Sequence, residues 1–199
     1  MLFYIHYLNR AILGPLRTPS RSKSHISVPL AAIAFNTVNG ALLGTYLSSP
    51  QAKTYLFDSF WTLRFWLGVA VWTFGFAGNL LHDEILFNIR RRAKYMREEV
   101  DDNNGKIKGE YYSIPYGYLY KYVSYPNYFC EWVEWFGFAI AAAPLPTFGR
   151  FFKTLSPPWL FFAAEIFLML PRAYRGHKWY LNKFPNYPKD RKVVIPHVF

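Results

Sequence analysis

Two glutamates and an asparagine stand where an apolar helix is about to begin. In Tyr112-Ser-Ile-Pro-Tyr-Gly-Tyr-Leu-Tyr-Lys-Tyr-Val-Ser-Tyr-Pro-Asn-Tyr-Phe-Cys-Glu-Trp-Val-Glu-Trp135 the phase turns helical at Pro126, and Asn127, Glu131 and Glu134 follow at i, i+4 and i+7 on one face. The run from Phe136 to Pro144 beyond them is almost wholly apolar. A carboxylate at the centre of a membrane helix costs roughly 2.5–3.5 kcal/mol on insertion scales, and less near the interface, so it faces protein, ligand or water. Asn79, Asp83 and Arg90 make a second cluster at i, i+4 and i+11, which brings all three within about 40° around a helix axis. One stripe then carries a donor/acceptor, an acid and a base. The plain alternative is an ion pair at a helix end, and Asn79 lies deeper than snorkelling requires.

Two further groups frame these. Pro171-Arg-Ala-Tyr-Arg-Gly-His-Lys-Trp-Tyr180 is dense in cations and aromatics; arginine forks suit phosphate and Tyr or Trp rings can stack, so a nucleotide is a natural ligand, with an aromatic and basic membrane belt as the alternative. His6-Tyr7-Leu-Asn-Arg10 sets Tyr7 and Arg10 one helical turn apart. A buried tyrosine hydroxyl can donate to a substrate carbonyl, and a nearby cation makes it a better acid. His6, His82 and His177 show no metal-ligand spacing, and structural or interfacial roles suit them. The single cysteine, Cys130, excludes an internal disulfide and a Cys-based metal site. Walker, G-x-G-x-x-G and G-x-S-x-G motifs are absent.

The elements that must position these groups are membrane helices. With 199 residues, 52% hydrophobic and 21% aromatic, the composition is far from that of an ordinary soluble chain, and apolar blocks alternate with basic ones. The net charge of +11 flanks apolar spans instead of marking a basic face, so nucleic acid is not the expected partner and the lipid bilayer is. Residues 1 to 13 are apolar but too short to cross, since about 20 residues are needed; they lack the features of a signal peptide and read like the tail of a helix. Full spans are expected at 26 to 47, 60 to 81, 129 to 148 and 159 to 170. Asn36, Thr37, Asn39 and Gly40 supply small and polar contacts in the first. Residues 17 to 23 and 48 to 59 read as links, and 91 to 125 as a long polar loop. The segments around 10–25, 83–125 and 171–192 are rich in Lys and Arg, whereas the two intervening links hold only Lys53, Arg150 and Lys153. The positive-inside rule places the rich segments and the C-terminus in the cytosol.

Taken together, the residues resemble the steroid 5α-reductase family of membrane NADPH-dependent reductases. The resemblance runs over essentially the whole chain. It is strongest in Ile114-Pro-x-Gly117, in Tyr122-Val-Ser-x-x-Asn127-Tyr-Phe-x-Glu131-x-x-Glu134-Trp135, and from Arg172-Ala-Tyr through Trp179-Tyr-Leu-x-Lys183-Phe and Tyr187-Pro-Lys-x-Arg191-Lys to Phe199. It implies an all-α, polytopic membrane bundle: four full spans and a partial N-terminal helix from a seven-helix fold, forming a single reductase domain over 1–199. It also implies NADPH held in the cytosolic half by Asn79, Asp83, Arg90, Tyr112, Asn127, Glu131, Arg172 and Tyr180, with Arg21 as a further phosphate contact. The proton-donating tyrosine of the family matches Tyr7. The implied reaction sends hydride to the β carbon of an enone such as a 3-oxo-Δ4 steroid, in lipid metabolism at the endoplasmic reticulum. Polyprenol or enoyl-CoA substrates, an inactive chain that still binds nucleotide, and a methyltransferase stay as alternatives, and the oligomeric state stays open. The pattern departs at Gly176, where the family has histidine. It also begins inside what would be the family's third helix, so the expectation is an N-terminally truncated domain.

Overall fold

Long apolar stretches, bounded by Pro, Ser and basic clusters, favour helix, and no strand occurs among the described residues. The computed structural model describes residues 1–19, 25–102, 112–150 and 154–199. In chain order the helices are α1 (Leu2–Leu8), a π-helical turn (Asn9–Leu13), α2 (Gly14–Arg17), α3 (Ser27–Ser48), α4 (Pro50–Ser59), α5 (Leu63–Asp102), a 3-10 turn (Tyr118–Lys121), α6 (Pro126–Ala142), a 3-10 turn (Phe148–Arg150) and α7 (Pro157–Lys183). They fall into two compact units. The first comprises Met1–Ser22, Ala77–Phe129 and Leu170–Phe199, the second Lys23–Phe76 and Cys130–Met169. Helices α5, α6 and α7 each contribute to both.

Three expectations change. Residues 91 to 102, read as loop, continue α5 to a length of 40 residues, because Arg91-Arg-Ala-Lys-Tyr-Met-Arg-Glu-Glu99 consists largely of strong helix formers. The link at 48 to 59 holds α4: the Ser49 hydroxyl accepts from the Ala52 N–H at 3.2 Å and Pro50 sits at the first helical position, both ordinary helix-start signals. Helix α7 runs past the span expected at 159 to 170, through Pro171 to Lys183, so the basic, aromatic segment is helical. Only α3, among the described residues, is long and apolar enough to cross a membrane; α6, at 17 residues, is shorter than the expected third span.

The second unit is built on close backbone approach. A Cβ on Gly75 would lie 2.4 Å from the Glu134 amide nitrogen, one on Gly137 2.4 Å from that of Trp72, and one on Gly68 2.7 Å from that of Ala141. Glycine lets α5 and α6 touch along this seam. Around it Trp135 packs edge-on to Phe161 at 4.6 Å, and the Trp159 indole donates to the Pro144 carbonyl at 2.8 Å. Glu134 is fully buried in this unit. Two of the polar residues expected to pack or hydrogen-bond between helices bond along their own helix: Asn36 and Asn39 donate to the carbonyls of Ala32 and Phe35, both at 2.8 Å, and nothing lies within 4 Å of a Cβ on Gly40.

In the first unit the chain after Lys183 returns along the segment before α6. Ser124 N–H donates to Lys192 O at 2.9 Å, Lys192 N–H to Tyr122 O at 2.8 Å, and Tyr125 N–H to Val193 O at 3.0 Å. Arg191, 3% exposed, lies over the rings of Tyr116 and Tyr187, 5.0 Å from each, and donates to the Pro115 carbonyl at 3.1 Å. This cation between two rings ties the tail to the Ile114–Gly117 segment. Gly117 there takes φ of 108°, open only to glycine without strain.

Candidate functional site

The first unit holds a cavity of about 690 Å³. Three helices and two shorter segments bring residues to it. From α5 come Asp83, Arg90 and Lys94; from α7 come Arg172, Gly176, Trp179 and Tyr180, whose spacing of four, three and one residues keeps them on one face. That face exists only because the helix continues past Pro171. Tyr112 enters from the segment before the 3-10 turn at Tyr118–Lys121, and Asn127 from the first turn of α6. Arg10 and Arg17 enter from the N-terminal helices.

The N-terminal helices reach the cavity through a change of register. Pro15 has no N–H and its ring crowds the carbonyl four residues back, and the turn just before it widens to a π-helix over Asn9–Leu13. Thr18 closes α2, its amide and hydroxyl both donating to Gly14 O, at 3.1 and 2.7 Å. The widened turn presents Arg10, whose guanidinium lies 3.5 Å from Asp83. Asp83 also accepts from the Asn127 side chain at 3.1 Å, and Asn79 donates to the Asn127 carbonyl at 3.4 Å. The expected stripe on α5 therefore fastens the start of α6. Arg17 and Arg91 both bond Glu84, and Arg17 covers the Phe87 ring.

Charge within the cavity is unevenly satisfied. Among the described residues, Arg90 and Arg172 make no ion pair or hydrogen bond, so two guanidinium forks face a space containing Tyr112, Trp179 and Tyr180. The rings of Tyr112 and Trp179 meet edge-on at 4.9 Å. Burial, then the neighbouring Tyr187 phenol, push the Tyr180 pKa up to about 12, while Arg191 and Arg90 oppose the shift. Burial likewise raises Tyr125, chiefly, with Tyr180 adding to it. Both remain neutral hydroxyls able to donate at neutral pH. The arrangement can take a large anionic ligand with a ring to stack.

Of the residues proposed from sequence, Asp83, Arg90, Tyr112, Asn127, Arg172 and Tyr180 line this cavity together. Asn79 does not: it is buried behind Asn127. Tyr7 does not line it either; it is half-buried on α1, with its ring 4.5 Å from Phe3 and 5.2 Å from His6. Glu131 is buried in the second unit, and Arg21 lies outside the described residues. Lys94 and Tyr125 were missed. Lys94 stands four residues after Arg90 on the same stripe, a signal hidden by reading 91 to 125 as loop.

A family model described as 3-oxo-5-alpha-steroid 4-dehydrogenase matches residues 22–199. An uncharacterized protein of Schizosaccharomyces pombe is 40% identical over 98% of this chain and 65% of its own length. A steroid 5-alpha-reductase of Gossypium hirsutum is 33% identical over 99% of this chain and 68% of its own. The 3-oxo-5-alpha-steroid 4-dehydrogenase 1 of Mus musculus is 36% identical over 98% and 66%. The chain spans about two thirds of the length of these curated relatives.

Proposed function

The chain belongs to the 3-oxo-5-alpha-steroid 4-dehydrogenase family, and from that premise we propose that it uses NADPH to reduce a carbon–carbon double bond conjugated to a carbonyl, in a 3-oxo-Δ4 steroid or a related lipid enone. The observation that carries this reading is the pair Arg90 and Arg172, unpaired among the described residues, in a cavity of about 690 Å³. That size lies within the roughly 300–1,000 Å³ typical of small-molecule and cofactor sites. Two guanidinium groups fit the phosphates of a dinucleotide, and Trp179 and Tyr112 offer rings to its bases.

When bound, the reduced cofactor supplies the hydride. The protein's own residues hold and polarise. Arg90 and Arg172 bind phosphate oxygens, and the Asn79–Asn127–Asp83 linkage keeps the cavity wall in place. Tyr112 and Tyr180 present hydroxyl and ring to the nucleotide. Glu131 and Arg21 are assigned to the same cofactor on the resemblance alone. Tyr7 donates a hydrogen bond to the substrate carbonyl oxygen and stabilises the negative charge that gathers there, and the α carbon then takes a proton from solvent water. Arg10, one turn along, strengthens that donor. The whole chain acts as one reductase domain in lipid metabolism. It sits in the membrane of the endoplasmic reticulum through α3 and the apolar stretches of α5, α6 and α7, with its basic segments and C-terminus cytosolic.

Purified chain in detergent, given NADPH and a panel of 3-oxo-Δ4 steroids, polyprenal-type enones and enoyl-CoAs, is expected to consume NADPH only when a substrate is present. Tyr7→Phe should lower kcat by about a hundredfold or more with NADPH affinity unchanged. Binding of NADPH without turnover on any substrate would replace this reading with that of an inactive nucleotide-binding membrane protein. Absence of NADPH binding would remove both.

A further inference from the structure

Helix α7 presents Arg172, Gly176 and Tyr180 to the cavity at four-residue intervals, and the middle position carries no side chain. That gap is filled from another element. A Cβ built on Gly176 would lie 1.6 Å from the Tyr125 hydroxyl, 2.5 Å from its Cζ and 2.9 Å from its Cε2. The phenol therefore rests directly on the α7 backbone, and even alanine at 176 is incompatible with Tyr125 where it stands. Tyr125 is held there at both ends of its backbone unit: its N–H donates to Val193 O at 3.0 Å, and its carbonyl accepts from the Phe129 N–H at 3.3 Å, opening α6 just before Pro126. Its ring packs against Tyr128 at 5.2 Å and Tyr180 at 6.4 Å. Tyr125 lines the cavity, and among the described residues its hydroxyl makes no hydrogen bond. Arg172 lies close enough for its charge to act on the phenol.

A rigidly mounted donor, otherwise unused and next to an unpaired guanidinium, is a ligand contact in search of an acceptor oxygen. We propose that Tyr125 is a nucleotide-binding residue: seated in the notch left by Gly176, it supplies from the residue just before α6 the polar contact that a side chain at 176 would otherwise make from α7. The inference rests on the reading of this cavity as the NADPH site. It adds that the site is closed on this side by a complementary pair, a glycine and a tyrosine, which must change together.

The test is NADPH titration of the full chain in detergent, followed by tryptophan fluorescence, with thermal midpoints measured on the same samples. Tyr125→Phe removes the hydroxyl alone and is expected to weaken NADPH binding about tenfold without moving the midpoint. Gly176→His is expected to abolish binding or folding. Combining it with Tyr125→Ala, which empties the notch and restores a donor on α7, should recover folding and bring affinity to within a few-fold of wild type. Unchanged binding by Tyr125→Phe, or wild-type binding by Gly176→His alone, would overturn the proposal while leaving the cavity as a nucleotide site. So would a double variant no better than Gly176→His. Absence of NADPH binding by the wild-type chain would sink the cavity's assignment, and this proposal with it.

Discussion

Arg172 contributes nothing visible to the fold: it is exposed and, among the described residues, unpaired. Its loss should therefore separate binding from stability. Arg172→Ala is expected to weaken NADPH binding by about tenfold or more, the worth of a charged hydrogen bond, with the thermal midpoint unchanged; isothermal titration beside a melting curve checks both. His82 behaves oppositely. Its Nδ1 donates to Gly78 O at 2.6 Å and its Nε2 accepts the Leu119 N–H at 3.2 Å, an arrangement only the neutral ring can make. Burial lowers its pKa, and that of His177 as well. A folded pKa below the unfolded value of about 6.5 means that the unfolded chain takes the proton first. The stabilisation is complete above that pH and is lost as pH falls from there toward the folded value. The thermal midpoint should drop between about pH 7 and pH 5, and His82→Gln should flatten part of that slope; parallel slopes would show the histidine to be a bystander. That Asp83, Asn127 and Arg172 share a cavity was legible because their spacing is helical and their chemistry scarce in an apolar chain. Tyr125 was not, because nothing local reveals that its ring fills the space over a glycine some fifty positions on.

At the level of elements, α5 and α6 depend on glycines that read in sequence as ordinary interruptions of apolar helix. A side chain on Gly137 would meet the backbone of Trp72 at 2.4 Å, and backbone cannot rotate away. Gly137→Val is expected to destabilise the chain by about 3 kcal/mol or more, or to prevent its folding, whereas Gly40→Ala, with open space around it, should be neutral or slightly stabilising. Denaturant melts of the two variants test the contrast; a tolerated Gly137→Val would mean that the seam opens without cost. The polar residues of α3 were expected to glue helices, and two of them bond their own carbonyls instead. Helix propensity in 91 to 102 was outweighed in the sequence reading by charge density, which marks exposure and not irregular backbone. Helix α7 runs through Pro171 to Lys183, beyond the span of 159 to 170 read from hydropathy, and that continuation sets Arg172, Gly176 and Tyr180 in line.

For the whole molecule, the exposure of α3, of which 11% of the apolar window is buried within the chain, predicts tight membrane association. The chain should stay in the membrane fraction through alkaline carbonate extraction, and in sealed microsomes a C-terminal tag should be digested by added protease while a tag beside Lys53 is protected. Release into the supernatant, or the reverse protection pattern, would contradict the orientation drawn from the basic segments. The sequence alone determined the helical class, the family resemblance, and the residue types that meet in the cavity, because periodicity, charge placement and long matched segments are local properties that survive without coordinates. Tertiary structure alone decided which of those residues share a wall. It moved Asn79 behind Asn127, bound Arg10 to Asp83 through a π-helical turn, sandwiched Arg191 between two rings, and set Tyr125 on Gly176. Each is a contact between segments distant along the chain, and such contacts follow from how helices pack, which spacing within one helix does not encode.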